Sequence, residues 1–140
     1  MAITYENVFY DRVITSFHNL IAEEFKIQIY YDEHKGNQSF LITPISDELD
    51  ELTANGQSRD YSISVSYQLN TTGNYDTNHV KQVALIAERM KRLIFNNKNY
   101  SVSGVNQFFN AEVSSIEYTR EENLLGANLT INVSSLEIIA

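Results

Sequence analysis

Residues 59–70, RDYSISVSYQLN, constrain the fold more than any other stretch, because large apolar and small polar residues alternate from Tyr61 onwards. Successive side chains of a strand point to opposite faces of a sheet, so this period of two predicts a β-strand with one buried face. The predicted core face holds Tyr61, Ile63, Val65, Tyr67 and Leu69. The other face holds Ser62, Ser64 and Ser66, and its surroundings could be solvent, a channel lumen or a contact between subunits.

Apolar residues at three- and four-residue steps predict two amphipathic helices, over residues 5–24 and 77–96. Thr4 and Asp76 stand at the expected N-cap positions, with Ile3 and Tyr75 placed for hydrophobic staples. Further strands are predicted over residues 26–32, 39–43, 100–105, 111–119 and 127–139. The first two of these form a predicted hairpin. This order, αβββαβββ, predicts an α+β domain: a mainly antiparallel sheet of about four to six strands with both helices packed on one face.

The last two predicted strands share a short echo, Val-Ser-Ser-Ile-Glu from Val113 and Val-Ser-Ser-Leu-Glu from Val133. In both, the apolar phase slips by one residue at the serine pair. We therefore predict β-bulges or a change of packing partner at these two points. Coincidence in a serine-rich chain is the alternative.

An acidic segment follows Pro44, where ISDELDELTANGQS carries four carboxylates and then the turn-forming pair Asn55-Gly56. The carboxylates are Asp47, Glu48, Asp50 and Glu51. Their spacing lacks the alternating ligands and the glycine of a calcium-binding loop. We interpret the segment chiefly as a solvated loop, with an electrostatic docking surface as the alternative.

A basic cluster closes the second predicted helix, formed by Arg89, Lys91, Arg92 and then Lys98. Cations at a helix C-terminus complement the helix dipole, which is one explanation of the cluster. The other is that these cations meet the acidic segment of a neighbouring copy. A contact between two different surfaces of the same chain closes into a ring when its rotation closes.

The composition excludes several classes of function. A net charge of -8 over 140 residues disfavours general affinity for nucleic acid, and the absence of cysteine excludes disulfides and thiolate metal sites. The N-terminus carries no signal-peptide pattern, and no apolar run is long enough for a membrane span. His18, His34 and His79 are scattered, and Asp32-Glu33-His34 lacks a second ligand pair. We expect no catalytic residue, cofactor or metal, and a protein made and kept inside a cell.

Taken whole, the chain resembles the tail terminator or tail-completion family of tailed bacteriophages, the group that includes the minor tail protein U type. The resemblance covers nearly all 140 residues and is one of size, element order and pattern. It is carried by an N-terminal helix followed by IQIYYDEHKGNQSFLITP, RDYSISVSYQLN, HVKQVALIAERMKRLIFNN and VSSIEYTREENLLGANLTINVSSLEI. No invariant motif transfers position by position.

The resemblance implies a single tail-terminator-like domain over residues 1–140 that assembles as a homo-oligomeric ring, usually a hexamer. Such a ring sits on the end of the tail tube, stops tube growth and offers a surface for joining the head. Its partners would be further copies of itself, the tail tube protein and the head-tail connector or other neck proteins. DNA would pass through as cargo without specific binding. The protein would belong to the tail or neck of the virion and assemble in the host cytoplasm.

Other classes remain open from sequence. A head-tail connector or another neck protein would share the size and multimeric state of a terminator. A protein-interaction module unrelated to phages and an enzyme with an illegible site are the remaining alternatives. For a ring, the candidate assembly interface comprises the four carboxylates of the acidic segment, Arg89, Lys91 and Arg92 of the basic cluster, and the serines 62, 64 and 66.

Overall fold

A computed structural model of the chain describes residues 5–71 and 77–138. Within these residues two helices and six strands follow the predicted order, and the strands form one sheet in the order β1-β2-β3-β6-β5-β4. The α+β class and the number of strands are therefore confirmed. The helices are α1 (Thr15–Phe25), which continues a π-helical segment (Phe9–Ile14), and α2 (Thr77–Asn96). The strands are β1 (Ile29–Tyr30), β2 (Gln38–Leu52), β3 (Gly56–Asn70), β4 (Tyr100–Val102), β5 (Val105–Glu121) and β6 (Leu124–Ile138).

Strand β3 is the centre of the sheet, as its alternation predicts. It pairs antiparallel with β2 on one side and, along its whole length from Gly56 to Asn70, with β6 on the other. Its predicted apolar face is buried, and Ile63, Val65 and Tyr67 are fully enclosed. Burial of a large aliphatic side chain such as Ile63 contributes about 1.5–3 kcal/mol, so this face anchors the core.

Both helices pack on that same face of the sheet. Their buried side chains join the inward-facing residues of β3 and β6 in one hydrophobic cluster. The helical members of the cluster are Val13, Ile14, Phe17, Ile21, Phe25, Val83, Ile86, Ala87, Met90 and Ile94. The opposite face of the sheet is left to polar residues, the usual state of an antiparallel sheet covered on one side.

The bounds of α2 match the prediction, but the first helix begins later than expected. Residues 5–7 are not helical, and the Asn7 side chain accepts a hydrogen bond from the backbone N–H of Tyr10 at 3.1 Å. The predicted caps Thr4 and Asp76 and the staple residues Ile3 and Tyr75 lie outside the described residues. Val80, predicted to be buried in α2, is half exposed, because the apolar stripe reaches the sheet only from Val83 onwards.

The predicted hairpin of residues 26–32 and 39–43 is wrong. Residues 39–43 are part of β2, but of residues 26–32 only Ile29–Tyr30 is a strand, and it runs parallel to β2 with Ile29 opposite Phe40. The sheet is therefore mixed. An alternation of apolar residues identifies a half-buried strand but carries no information about its direction, which is why the sequence could not distinguish the two pairings.

The predicted solvated loop after Pro44 is also wrong, because β2 continues through the acidic segment to Leu52. Register shifts between Pro44 and Ser46 and between Leu49 and Glu51 mark two bulges, and a turn closed by Thr53 N–H to the Gly56 carbonyl leads into β3. Asp and Glu are poor strand formers, but the adjacent β3 backbone supplies hydrogen-bond partners that outweigh this preference.

One of the two predicted bulges is confirmed. The β5 register shifts between Val113 and Ser115 against a regular β6. At the second serine pair the pairing of β6 with β3 runs without a shift, so β6 has no bulge there. The irregularity lies in β5, whose register shifts between Phe109 and Glu112, opposite Ser134 and Asn132 of β6. The apolar phase slips because Ser135 occupies the core face, where it donates to the Gln107 carbonyl at 2.9 Å, while Leu136 is exposed on the other face.

Candidate assembly surfaces

The acidic segment forms an arm, which we define as residues 45–58, the end of β2, the turn and the start of β3. Its four carboxylates differ in their contacts. Asp47 forms an ion pair with Arg59, with Oδ1 2.8 Å from Nε, and Asp50 accepts a hydrogen bond from Ser58 Oγ at 3.1 Å. Glu48 and Glu51 are exposed and have no hydrogen-bond or ion-pair partner among the described residues. The arm therefore presents two free carboxylates.

The arm also exposes apolar side chains, which a purely solvated element would not need. Ile45, Leu49 and Leu52 are 55%, 50% and 69% exposed. The register with β3 places Leu49 opposite Arg59 and Glu48 opposite Asp60, so leucine and glutamate side chains leave opposite faces of the arm. A partner that receives this arm edge-on would meet apolar groups on one side and carboxylates on the other.

A hydrogen-bonded cluster fixes the base of the arm. The Tyr61 hydroxyl donates to Glu137 Oε1 at 3.0 Å, and the Gln57 amide donates to Glu137 Oε2 at 2.8 Å. Burial, reinforced by the neighbouring Glu137 carboxylate, raises the pKa of Tyr61 well above its usual value, so the phenol keeps its proton. The ladder from residues 56–60 to β6 adds a second support. The arm is thus held in one orientation.

The basic cluster divides into cations with different contacts. Arg89 Nη2 donates to the Glu24 carbonyl at 2.9 Å and to Glu24 Oε1 at 3.1 Å, and its guanidinium lies 4.6 Å from the centre of the Phe25 ring. Lys91 forms an i, i+3 ion pair with Glu88 at 2.7 Å. Arg89 therefore connects α2 to the end of α1 and is largely unavailable for contact with another copy.

Arg92 is the cation left without a partner. It is exposed and makes no ion pair or hydrogen bond within the described residues. Lys98 lies nearby, with its Nζ 4.6 Å from the centre of the Phe95 ring, and Phe95 itself is 66% exposed. Sequence reasoning missed Phe95. Its signal was available, because Phe95 follows Ile94 of the buried stripe and consecutive helix positions point about 100° apart.

These side chains line an open cleft of about 780 Å³ between the end of α2 and β5. The cations Lys91, Arg92 and Lys98 are part of its lining, together with Phe95. The rest of the lining is Glu88 from α2 and Asn110, Ala111, Glu112 and Val113 from β5. In a chain of net charge -8, this cleft collects three of the ten cations beside an exposed aromatic ring.

The serine face is the outer surface of the sheet. Ser62, Ser64 and Ser66 are half-buried and stand opposite Asn132, Thr130 and Asn128 of β6. Ser64 donates a hydrogen bond to the Asn128 side chain. On the β2 side the same three serines face Ser46, Thr43 and Leu41. The result is an uncharged surface across three strands, polar except for the partly buried Leu41.

His34 closes one margin of the serine face. Its Nδ1 lies 2.7 Å from Ser39 Oγ and its Nε2 lies 3.1 Å from Ser66 Oγ. Burial lowers the pKa of His34 below its usual value, against the weaker opposing effect of the hydrogen bond with Ser39. The neutral imidazole therefore holds the loop before β2 onto this face, a contact that the sequence did not indicate.

The structure places the predicted interface residues on three surfaces, of which the arm and the serine face adjoin. The acidic residues 47, 48, 50 and 51 lie on the arm, Arg92 and Lys91 in the cleft, and the serines on the outer face. No arm residue lines the cleft of its own chain. A second hollow of about 570 Å³ lies where the arm meets the serine face, and Glu48, Asp50 and Ser62 are part of its lining. It shares Asn110 and Glu112 with the cleft but contains no Lys or Arg side chain.

Among residues 5–71 and 77–138, no group of three or more His, Cys, Asp or Glu side chains is placed to hold a metal ion. The expectation that the protein needs no metal stays a prediction. Neither helix in the described part of the chain combines the length and the apolar character that a membrane span requires.

No protein-family model matches this chain, and no curated protein sequence matches it. The resemblance to tail terminators therefore stays an expectation based on sequence pattern. So do the expected absence of enzymatic activity, the ring, the virion location and the bounds of the domain.

Proposed function

We propose that this chain is a structural ring subunit of a phage tail or neck, which ends growth of the tail tube and provides the surface for joining the head. The resemblance in size and element order supports this role. The confirmed α+β class agrees with the small α+β protein that the resemblance implies. The role involves no reaction and no cofactor.

The observation that carries the proposal is the neutral serine face. DNA must pass through such a ring, and a lumen rich in Lys or Arg would bind its phosphates and slow that passage. The residues paired with Ser62, Ser64 and Ser66 on β2 and β6 carry hydroxyl or amide side chains except for Leu41, and none of them is a cation. A surface of this kind suits a lumen, and it also suits close contact between subunits because no charge must be desolvated.

The test is a tube-capping assay on purified tail tubes that lack a terminator. Particle mass is measured with and without tubes, because assembly could require the tube end, and tube ends are imaged by electron microscopy. We expect a ring of this protein at one end of each tube and no further growth there. A protein that stays monomeric at every concentration, with tubes present, contradicts the proposal, as does a ring with a strongly basic lumen.

A matched pair of variants tests the serine face within the same assay. Ser64→Lys places a cation on that face, whereas Ser101→Lys places one at an exposed position of β4, at the other edge of the sheet. We expect Ser64→Lys to reduce ring formation or DNA passage and Ser101→Lys to leave both unchanged. If the two variants behave equally, the serine face neither lines the lumen nor contacts another subunit. Rings that bind a head connector without binding tubes would identify a neck protein instead.

A further inference from the structure

We infer that the arm of one copy docks into the cleft of a neighbouring copy. This inference deepens the proposed function and rests on it, because it names the contact through which a ring would form. The occupant of the cleft is a second copy of this chain, recognised by opposite charge and matching apolar groups.

Charge complementarity selects the occupant. Glu48 and Glu51 on the arm and Arg92 in the cleft are exposed and unpaired within the described residues, so all three are available for contact. The Lys98 ammonium lies over the face of the Phe95 ring and has no ion-pair partner among the described residues. Hydrogen bonds between a guanidinium and a carboxylate are about twice as strong as neutral ones, which favours Arg92 as the main donor to the carboxylates of the arm.

The apolar groups of the two surfaces also match. A strand that enters a cleft edge-on presents both faces, and the arm carries Leu49 and Leu52 on the face opposite to its free carboxylates. The cleft offers the exposed Phe95 ring and the partly buried Val113 beside its cations. Contact between these groups would remove exposed leucine and phenylalanine surface from water, which is the favourable term in most protein association.

The contact must join two different surfaces. Arm-to-arm pairing would bring two sets of four carboxylates together, and like charges at an interface cost several kcal/mol. The arm of a chain contributes nothing to the lining of its own cleft. Each subunit therefore offers one arm and one cleft, and heterologous contacts of this kind close into a ring when the rotation between subunits closes.

The arm is preorganised for docking. Direct hydrogen bonds hold its base in place. Arg59 donates to Asp47, and the Gln57 amide and the Tyr61 hydroxyl donate to Glu137. Because the arm is already ordered, association loses little backbone entropy, and this raises affinity without further contacts.

A charge swap tests the pairing in solution. Glu51→Arg and Arg92→Glu should each weaken self-association about tenfold or more at about 0.1 M salt, measured by sedimentation, because each brings like charges together. The double variant carrying both should recover to within about threefold of the wild type. Two variants control for net charge: Glu121→Arg, at an exposed position of β5, and Lys81→Glu, at the other end of α2. Single swaps that associate like wild type, or a double variant without recovery, would overturn the docking.

A crosslink tests the same contact when association is weak. The chain has no cysteine, so a Glu51→Cys variant mixed with an Arg92→Cys variant can form a disulfide only between the introduced thiols. Under mild oxidation we expect a mixed dimer, in higher yield than from Glu121→Cys with Arg92→Cys. Equal yields would overturn the docking.

The two proposals fail in different ways. If the protein caps tail tubes but the charge-swap and crosslinking variants give the same results as their controls, the proposed function stands and the docking is wrong. If the protein self-associates through the arm and the cleft but does not bind tail tubes, the docking stands and the proposed function is wrong.

Discussion

Replacement of Arg89 by alanine should destabilise the fold without affecting assembly, and replacement of Arg92 should do the reverse. The two arginines lie one turn apart on α2 and belong to the same cluster in the sequence. Their contacts differ, since Arg89 bonds to the Glu24 carbonyl and carboxylate and covers the Phe25 ring, whereas Arg92 is exposed in the cleft.

The magnitude follows from the three contacts of Arg89. Its ion pair with Glu24 is partly exposed, with 39% and 45% of the two side chains accessible, so it contributes only about 0.2–1 kcal/mol. The guanidinium over the Phe25 ring adds about 0.5–1 kcal/mol. The hydrogen bond to the Glu24 carbonyl adds about 0.5–1.5 kcal/mol. Arg89→Ala should therefore lower the free energy of unfolding by about 2 kcal/mol.

The assay is thermal unfolding of the monomer at low protein concentration. A chain of this length has an unfolding entropy of about 0.29 kcal/mol/K, so the loss lowers the melting temperature by about 7 °C. Arg89→Lys keeps the charge but loses the forked geometry and should show about half of this effect. Arg92→Ala should stay within about 0.5 kcal/mol of wild type. Equal stability of Arg89→Ala and Arg92→Ala would refute the reasoning.

Three further predictions concern the sheet and its titrating groups. Gly126→Ala should cost about 1–3 kcal/mol in urea unfolding, because the added carbon would lie 2.6 Å from the Tyr67 carbonyl oxygen; wild-type stability would contradict this. Burial raises the pKa of Tyr67 above 10.0, so the unfolded chain releases this proton first and stability falls above pH 10. Tyr67→Phe should make the fall of the unfolding free energy above pH 10 less steep, by about 1.4 kcal/mol per pH unit. The matched control is Tyr118→Phe, at an exposed tyrosine. Burial lowers the pKa of His34 below 6.5, so its contribution is present above pH 6.5 and is lost as the pH falls through the lowered value. His34→Gln should make the unfolding free energy depend less steeply on pH below pH 6.5, and an unchanged acid slope would contradict this.

The parts of the fold that depend on one local pattern could be predicted from the sequence. The α2 bounds and the core face of β3 follow from an unbroken apolar period, which tertiary contacts reinforce. The direction of β1 could not be predicted, since alternation is the same in either direction. The four carboxylates and the turn-forming Asn55-Gly56 predict a solvated loop where the structure has the acidic arm. The hydrogen-bonding partner that makes this segment a strand is β3, which its own local pattern does not reveal.

The candidate surfaces could likewise be predicted only in part from the sequence. The sequence indicated which charges cluster but not which of them are free. Arg89 finds its partner in Glu24, on the other helix, while Arg92, one turn along α2, finds none among the described residues. Only the folded arrangement separates a cation that stabilises the monomer from one that is available to a neighbour.

The central position of β3 also affects how the chain folds. Its hairpin with β2 is local, but its second partner, β6, is distant in sequence, with α2 and β5 between them. Pairings of this kind form late, because a long loop must close before they gain any energy. Until β6 arrives, the hairpin has bare edges and an uncovered apolar face, the conditions under which strands of different copies aggregate. Such pairing is opposed by Pro44, by the two β2 bulges and by the carboxylates of the arm. We therefore expect these features to protect newly made chains from aggregation before any ring exists.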